Sequence, residues 1–221
     1  MLELPDFNKE WDYVNGFFLT CSTQRISKML AQWELFKMVL DVPGDVVECG
    51  VFKGASLARF AAFRQILGPA HGKKLIGFDL FTDFAVPKGQ NDKAAIAPFV
   101  KEAGSQAISV EQMMQVLEHK NCAENVDLVA GDICETIPKY VEQHPQLIIS
   151  LLNLDVDLYE PAVTVLEYLF PLIRKGGILL TDSYSFPGET KAVDEYLKAH
   201  HSELRVTKLP FCHTPCYVVK E

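Results

Sequence analysis

The sequence contains no run of about 20 apolar residues, the length that a helix needs to cross a bilayer. No secretory signal opens the chain. Cysteine is scarce and scattered, so neither a disulfide framework nor a closed zinc site is expected. The six cysteines are Cys21, Cys49, Cys122, Cys134, Cys212 and Cys216. These absences predict a cytoplasmic protein with free thiols.

Positive charge is also in short supply. The chain has 21 Lys and Arg against 29 Asp and Glu, a net charge of -8, and a pI near 5.3. Because nucleic acids and anionic membranes are bound by basic surfaces, neither is an expected partner. With 48% hydrophobic residues, 221 residues can bury the core of one domain. A small-molecule partner is therefore expected, and a homo-oligomeric state is left open.

The glycine pattern of a dinucleotide site, G-x-G-x-x-G, is missing. In its place stands E-C-G-V-F-K-G-A-S, in which three residues separate Gly50 from Gly54 and no third glycine follows. Such a turn still lets the backbone approach a ligand closely, and it opens a helix whose N-terminal amides attract anionic groups. The turn favours a ligand site without identifying the ligand.

Two buried strands with a helix between them organise the chain. The apolar runs Leu147–Leu154 and Ile178–Thr181 flank a helical repeat over Val163–Ile173, which the glycines after Lys175 end. Further strands are predicted at Asp45–Cys49, Lys74–Asp79, Val126–Ala130, Leu204–Leu209 and Cys216–Val219, and further helices at Gln24–Leu40, Ala55–Leu67, Val110–His119, from about Asp132 to Val141, and Lys191–His200. Alternating strands and helices predict an α/β fold with a mainly parallel sheet, helices on both faces and an antiparallel last strand.

Two segments carry no clear period. The first 18 residues hold Trp11, Phe17 and Phe18 among polar residues, and Phe81–Ala107 is polar and contains Pro87 and Pro98. Long connections in compact domains often close over a site, so both are expected to act as lids. The first could instead contact another subunit or be an arm that lies on the core. We therefore predict an N-terminal arm and helix at residues 1–44, ahead of a catalytic domain at residues 45–221. The apolar face of that helix is expected to comprise Ile26, Met29, Leu30, Trp33, Phe36 and Leu40.

Five predicted strands end in a carboxylate, at Glu48, Asp79, Asp132, Asp155 and Asp182. Each could simply cap the helix that follows. Ligands of open parallel sheets bind beyond the carboxyl ends of the strands, where these acids would repel one another unless hydroxyl groups, cations or a metal were present. Asp79 suits the two hydroxyls of a ribose, and Asp132 suits the amino edge of an adenine. Together they predict an adenosine site.

The order of these motifs resembles that of class I S-adenosylmethionine-dependent methyltransferases with a Rossmann-like fold. Within that class the chain is most similar, over about residues 20–200, to the macrocin O-methyltransferase family, whose members methylate hydroxyls of sugars in antibiotic biosynthesis. The segments that carry the resemblance are E-C-G-V-F-K-G-A-S, F-D-L-F, G-D-I-C-E-T-I-P, L-D-V-D-L-Y-E-P, G-G-I-L-L-T-D-S-Y and P-G-E-T-K-A-V-D-E-Y.

The resemblance implies a role for each of the motif residues. S-adenosylmethionine would be held by Glu48, Gly50, Phe52, Gly54, Ser56, Asp79, Asp132 and Ile133. A divalent metal, Mg²⁺, would bind Asp155, Asp182 and Ser183 beside the acceptor hydroxyl, with Asp155 also taking its proton. Asp157, Tyr159 and Tyr184 are expected to contact the acceptor. The family usually has two adjacent aspartates where this chain has Asp182 and Ser183, so metal binding is expected to be weakened or rearranged.

Three other functions are compatible with the same fold. A catechol-type methyltransferase would use a similar metal site on a phenolic hydroxyl. A nicotinamide-dependent oxidoreductase would share the acid after the second strand but should carry the missing glycine pattern. A non-catalytic binding protein could keep the cofactor site and lose the metal site, a reading that Ser183 supports. Methylation of a hydroxyl on a sugar or another small metabolite is the preferred interpretation.

Overall fold

The computed structural model describes residues 2–68, 72–83 and 90–221. The described strands are β1 (Asp45–Cys49), β2 (Leu75–Asp79), β3 (Val126–Ala130), β4 (Ile149–Leu154), β5 (Ile173–Thr181), β6 (Thr207–Lys208) and β7 (Cys216–Val219). The described helices are α1 (Glu10–Thr20), α2 (Thr23–Met38), α3 (Ala55–Leu67), α4 (Gln90–Ala103), α5 (Val110–His119), α6 (Ile133–Gln143), α7 (Tyr159–Leu169) and α8 (Pro187–His200). None of these helices is long and apolar enough to span a membrane.

The strands form one sheet in the order β3-β2-β1-β4-β5-β7-β6. β1 to β5 pair in parallel, while β7 runs antiparallel to both β5 and β6. Every residue of β4 is buried, which explains its apolar run. The predicted fold class is confirmed.

Helices cover both faces of the sheet. Val47, Ile76 and Leu152 point into one core with α6, α7 and α8. Val46 and Leu75, on the opposite face, belong to a second core with α2, α3 and α5. The alternation along β1 therefore also decides where Glu48 points, because it shares the face of Val46.

The N-terminal segment forms a helix, contrary to the prediction of an aperiodic arm. Asp6 accepts a hydrogen bond of 3.0 Å from the Asn8 amide and caps a short 3-10 turn at Phe7–Lys9, after which α1 begins. No residue of α1 is buried, and Trp11 and Leu19 are 79% and 84% exposed. A helix that buries no face needs no apolar period, so its sequence gives no helical signal.

The predicted loop from Phe81 to Ala107 contains α4, so that prediction is wrong in part. Pro98 lies inside this helix instead of ending it. Pro87 lies within residues 84–89, outside the described residues. A lid role for this segment stays a prediction.

The predicted apolar face of α2 is rotated from the observed one. The buried positions are Ala31, Gln32, Leu35 and Phe36, whereas Leu30 and Leu40 are exposed. The apolar pattern could not include Gln32, a polar residue on the buried face. Gln32 is tolerated there because both its amide nitrogen and its amide oxygen are hydrogen-bonded.

Several boundaries also differ from prediction. α7 ends earlier, at Leu169, and is followed by a 3-10 turn, while β5 begins at Ile173 and runs through Gly176 and Gly177. The sequence predicts that these glycines end a helix, but Gly176 has φ +80 inside the strand and its amide donates a hydrogen bond to the Lys220 carbonyl. α8 begins earlier than predicted, and β6 shrinks to two residues.

Candidate active site

The five strand-end acids lie along one edge of the sheet. In strand order they are Asp132, Asp79, Glu48, Asp155 and Asp182. Among the helix starts whose N-cap the structure describes, Asp132 alone of the five acids is the N-cap of the helix after its strand, accepting a hydrogen bond of 2.9 Å from the Cys134 amide. The helices that follow β1, β4 and β5 are preceded instead by Gly54, Leu158 and Phe186, none of which makes a side-chain cap. Capping therefore does not explain Glu48, Asp155 or Asp182.

The turn after β1 touches the backbone of Asp155. Gly50 has φ +95, and a Cβ at this position would lie 1.9 Å from the Asp155 carbonyl oxygen. The amide of Asp155 in turn donates a hydrogen bond of 2.9 Å to the Cys49 carbonyl. Only glycine fits this contact, which joins the predicted cofactor turn to the predicted catalytic loop.

Asp79 holds the same turn in place. Its Oδ2 atom accepts hydrogen bonds of 2.7 Å from the Val51 amide and 2.9 Å from the Phe52 amide. Its Oδ1 atom accepts one of 3.0 Å from the Phe81 amide. Phe52 takes a left-handed conformation with φ 49, which this carboxylate stabilises. Asp79 thus shapes the predicted cofactor site as well as facing it.

The start of α3 is tightly packed. Gly54 has φ +81, and a Cβ there would lie 2.6 Å from Sδ of Met113 on α5. Ser56 lies two residues further along the chain and is buried. Ile133, at the start of α6, packs against the core. These predicted cofactor residues surround the same end of the sheet.

Glu48 is completely buried beneath the edge. Its Oε1 atom accepts a hydrogen bond of 2.8 Å from Nδ2 of Asn153 on β4. Burial raises the pKa of Glu48 to about 8, although the hydrogen bond from Asn153 opposes the shift. Burial thus favours the protonated form of this side chain. Sequence reasoning did not assign Asn153.

Asp155 and Asp182 meet beside β4 and β5. Ser183 donates a hydrogen bond of 2.6 Å from its hydroxyl to Oδ1 of Asp155. The Asp182 amide donates one of 2.9 Å to the Leu154 carbonyl, which fixes the loop. Burial, and then the charge of Asp182, raise the pKa of Asp155 well above its ordinary value. Such a carboxylate is a stronger base than an exposed one.

Lys28 and Gln32 of α2 reach this acidic pair, and sequence reasoning missed both. The Lys28 ammonium forms an ion pair with Oδ2 of Asp182, and Gln32 Nε2 donates a hydrogen bond of 3.4 Å to Oδ1. Burial lowers the pKa of Lys28, but Asp155 and Asp182 outweigh it and raise that pKa to about 12. The four-residue spacing places the two side chains on one helix face, a signal the sequence did contain.

Glu189 is a second residue that sequence reasoning did not assign. It is fully buried, and its carboxylate accepts hydrogen bonds of 3.2 Å from the Val156 amide, 3.4 Å from the Asp157 amide and 3.2 Å from the Ser183 amide. Burial, and then the charge of Asp157, raise its pKa well above the ordinary value. Glu189 thus joins the loops that carry Asp155 and Ser183.

The three residues predicted to contact the acceptor lie at the rim. Asp157 has φ 60, and its carbonyl lies so close to Gly188 that a Cβ there would be 2.9 Å away. Burial raises the pKa of Asp157. The Tyr159 hydroxyl donates to Glu195 at 2.7 Å, and the Tyr184 hydroxyl donates to Asp194 at 2.6 Å. Both hydroxyls are thus held by α8, and their contact with an acceptor stays a prediction.

The chain is similar to known methyltransferases. Residues 20–211 match the macrocin O-methyltransferase (TylF) family. The 8-demethyl-8-(2,3-dimethoxy-α-L-rhamnosyl)-tetracenomycin-C 4'-O-methyltransferase of Streptomyces olivaceus is 28% identical over 162 residues, which make up 70% of this chain. The match spans 58% of that enzyme's length.

Solved structures give the same result. CalS11, a calicheamicin methyltransferase, is 30% identical with a TM-score of 0.78, covering 96% of this chain and 88% of its own. An apo structure of CalS11, described as a TDP-rhamnose 3'-O-methyltransferase, is 32% identical with a TM-score of 0.68. The match covers 95% of this chain and 86% of the CalS11 chain. The O-methyltransferase NovP, 21% identical with a TM-score of 0.74 over 88% of this chain and 80% of its own, shares the fold.

Proposed function

The chain belongs to the macrocin O-methyltransferase family, and from this premise we propose that it transfers the methyl group of S-adenosylmethionine to a hydroxyl of a sugar. The cofactor would lie over the edge formed by Glu48, Asp79 and Asp132. The acceptor would lie beside Asp155 and Asp182. A homo-oligomeric state and the role of residues 1–44 as a lid or subunit contact stay predictions.

One observation carries the proposal: the backbone contact between Gly50 and Asp155. The turn after β1 is the predicted cofactor site, and Asp155 is the predicted base, yet a Cβ on Gly50 would lie 1.9 Å from the Asp155 carbonyl oxygen. A methyl donor on that turn and an acceptor hydroxyl at Asp155 would thus be neighbours. Such alignment can contribute on the order of 7 to 11 kcal/mol to lowering the barrier.

The chemistry asked of the protein is modest because a sulfonium methyl is already electrophilic. The acceptor oxygen attacks the methyl carbon, the carbon–sulfur bond breaks, and the sulfonium becomes a neutral thioether. The hydroxyl proton passes to the Asp155 carboxylate, whose raised pKa suits it as a base. A positioned base contributes about 10² to 10⁴ in rate.

The sugar acceptor is supported by two similar proteins. The name of the Streptomyces olivaceus enzyme describes 4'-O-methylation of a substrate that carries a rhamnosyl group. CalS11 is described as a TDP-rhamnose 3'-O-methyltransferase. The acidic edge agrees with a neutral, hydroxyl-rich acceptor, since carboxylates accept hydrogen bonds from hydroxyls. A phenolic hydroxyl, as in catechol-type enzymes, is the competing acceptor that the test below separates.

The predicted divalent metal does not fit the donors that the chain provides. Mg²⁺ prefers several carboxylate or water oxygens, but Ser183 supplies a neutral hydroxyl that donates to Asp155 at 2.6 Å, and Asp182 is paired with the Lys28 ammonium. Among the described residues, no cluster of three or more His, Cys, Asp or Glu is arranged to hold a metal. No step of the reaction is therefore assigned to a metal.

A transfer assay tests the proposed function. The purified protein is incubated with S-adenosylmethionine labelled in its methyl group and, in parallel, with TDP-rhamnose, other TDP-deoxysugars, and catechol. We expect the label on a sugar hydroxyl, with one demethylated cofactor formed per product. Label on catechol and on none of the sugars would contradict the sugar assignment and support the phenolic one.

A further inference from the structure

On the basis of the methyltransferase function above, we propose that the Lys28 ammonium takes the place of the predicted divalent cation and hydrogen-bonds the acceptor oxygen during methyl transfer. Methyl transfer by this chain would then need no divalent metal. The observation behind this is the ion pair between Lys28 of α2 and Asp182, the acid that follows β5.

The Lys28 side chain reaches from the protein surface to a buried carboxylate. The Asp182 side chain has no exposed surface, whereas 29% of the Lys28 side chain is exposed. A group that enters from solvent would therefore meet Lys28 before it meets Asp182. An ammonium has three donors, so one can serve Asp182 while another faces an acceptor oxygen.

The helix that carries Lys28 is firmly anchored one turn later. Gln32 is completely buried, and its Oε1 atom accepts a hydrogen bond of 2.7 Å from Nε of Arg59 on α3. Its amide group donates to Asp182 at 3.4 Å. Two residues of one helix face thus address the same carboxylate, which distinguishes Lys28 from a surface lysine that happens to meet an acid.

A bound divalent cation would conflict with this arrangement. To contact both Asp155 and Asp182, the cation would have to lie against the Lys28 ammonium or displace it. Displacement would break the ion pair of the buried Asp182 carboxylate. Ser183 occupies the position where the family usually has a second aspartate, so the chain has one negative charge fewer to hold a metal. The missing carboxylate and the ammonium on Asp182 both disfavour a divalent cation at this site.

The proposed step balances in atoms and charge. The acceptor oxygen forms a bond to the methyl carbon as the carbon–sulfur bond breaks, and its proton passes to Asp155. Negative charge that develops on the oxygen is stabilised by the N–H donor of Lys28, which keeps its proton. A preorganised donor of this kind is worth about 10² to 10³ in turnover.

The test begins with metal binding, which requires no acceptor. Mn²⁺ is titrated into the wild-type chain and into Lys28→Met, which keeps length and removes charge, and free Mn²⁺ is followed by electron paramagnetic resonance. We expect no saturable binding to wild type and a gained site in Lys28→Met. Saturable binding of Mn²⁺ by wild type at Asp155, abolished by Asp155→Asn, would overturn the proposal without any variant of Lys28.

Turnover with TDP-rhamnose is then measured with and without EDTA. Wild-type turnover should be unchanged by the chelator, and Lys28→Met should lower kcat by at least about 10² while leaving cofactor affinity intact. Lys28→Arg should restore part of the rate. Lys37→Met, on the same helix and paired with Glu34 at the surface, is the matched control and should behave as wild type.

The outcomes separate the two proposals. Wild-type activity that stops with EDTA and returns with Mg²⁺, or a Lys28→Met chain with the wild-type rate, would overturn the role of Lys28. If no sugar is methylated while wild type still excludes Mn²⁺ and Lys28→Met binds it, the proposed function fails and the replacement of the cation stands.

Discussion

Glu189 accepts a hydrogen bond of 3.2 Å from the backbone amide of Ser183. The same carboxylate also accepts a hydrogen bond from the loop that follows β4. One buried carboxylate thereby ties the loops that follow β4 and β5 to the first turn of α8. The Ser183 hydroxyl adds a hydrogen bond to Asp155 between the same two loops, whereas neither α7 nor α8 begins with a side-chain cap.

Replacing Glu189 with alanine should therefore destabilise the fold. Leaving buried amides without an acceptor costs about 1 to 3 kcal/mol per group, so the free energy of unfolding should fall by at least about 2 kcal/mol in urea denaturation. Glu195→Ala, on the exposed face of the same helix, should cost less than about 1 kcal/mol. Equal stability of the two variants would contradict the loop-tying role.

Gly50→Ala should disrupt the fold at the cofactor turn. The new methyl would lie 1.9 Å from the Asp155 carbonyl oxygen, at a residue with φ +95, and both strain and overlap oppose it. We expect a loss of more than about 2 kcal/mol in unfolding free energy. Gly16→Ala in α1, where nothing lies within 4 Å of the added methyl, should be neutral or stabilising by up to about 1 kcal/mol. A Gly50→Ala chain as stable as Gly16→Ala would refute the close contact.

Glu48 predicts a specific dependence of stability on pH. Its pKa is about 8 in the folded chain against an ordinary value of 4.5, so between these values the folded state holds a proton that the unfolded state releases. The contribution of Glu48 to the free energy of unfolding is fully present below about pH 4.5 and is lost as pH rises towards 8. Across this window the free energy of unfolding falls by at most about 1.4 kcal/mol per pH unit. Relative to Glu48→Gln, wild type should weaken across this window and level off above it. A difference that is flat, or that grows with pH, would contradict the buried protonated acid.

Asp155→Asn should separate binding from catalysis. The substitution keeps the shape of the loop but removes the proton acceptor, so methyl transfer should fall by at least about 10² while cofactor affinity is retained. Asp41→Asn, at an exposed position after α2, is the control and should keep the wild-type rate. Because the N-cap position of α7 is Leu158 and Asp155 does not cap that helix, little stability should be lost. An Asp155→Asn chain with near-normal turnover would exclude the residue as the base.

Much of the fold could be predicted because local signals coincide with real boundaries. β1 ends at the glycine turn, β3 ends before Gly131, and α5 begins after Ser109, whose side chain forms a capping box with Gln112. These turn and cap residues act within a few positions of the chain, so they can be read without tertiary structure. The positions of the strand-end acids could be predicted in the same way, from the local pattern of the chain.

What could not be predicted depends on contacts between distant residues. Gln32 is buried because it meets Asp182, 150 positions away, and this partner is invisible in a helical pattern. Lys28 and Glu189 read as ordinary surface charges for the same reason. α1 could not be predicted for a different reason. A helix with no buried residue has no apolar period in its sequence to detect.

Isothermal titration of S-adenosylmethionine into the full chain tests the central claim most directly, because methyl transfer requires that this edge of the sheet bind that cofactor. We expect one saturable site per chain for S-adenosylmethionine and for its demethylated product, no heat from NAD, and, at a hundredfold the dissociation constant, a stabilisation of about 2.7 kcal/mol. Saturable binding of NAD with no binding of either methyltransferase ligand would contradict the account.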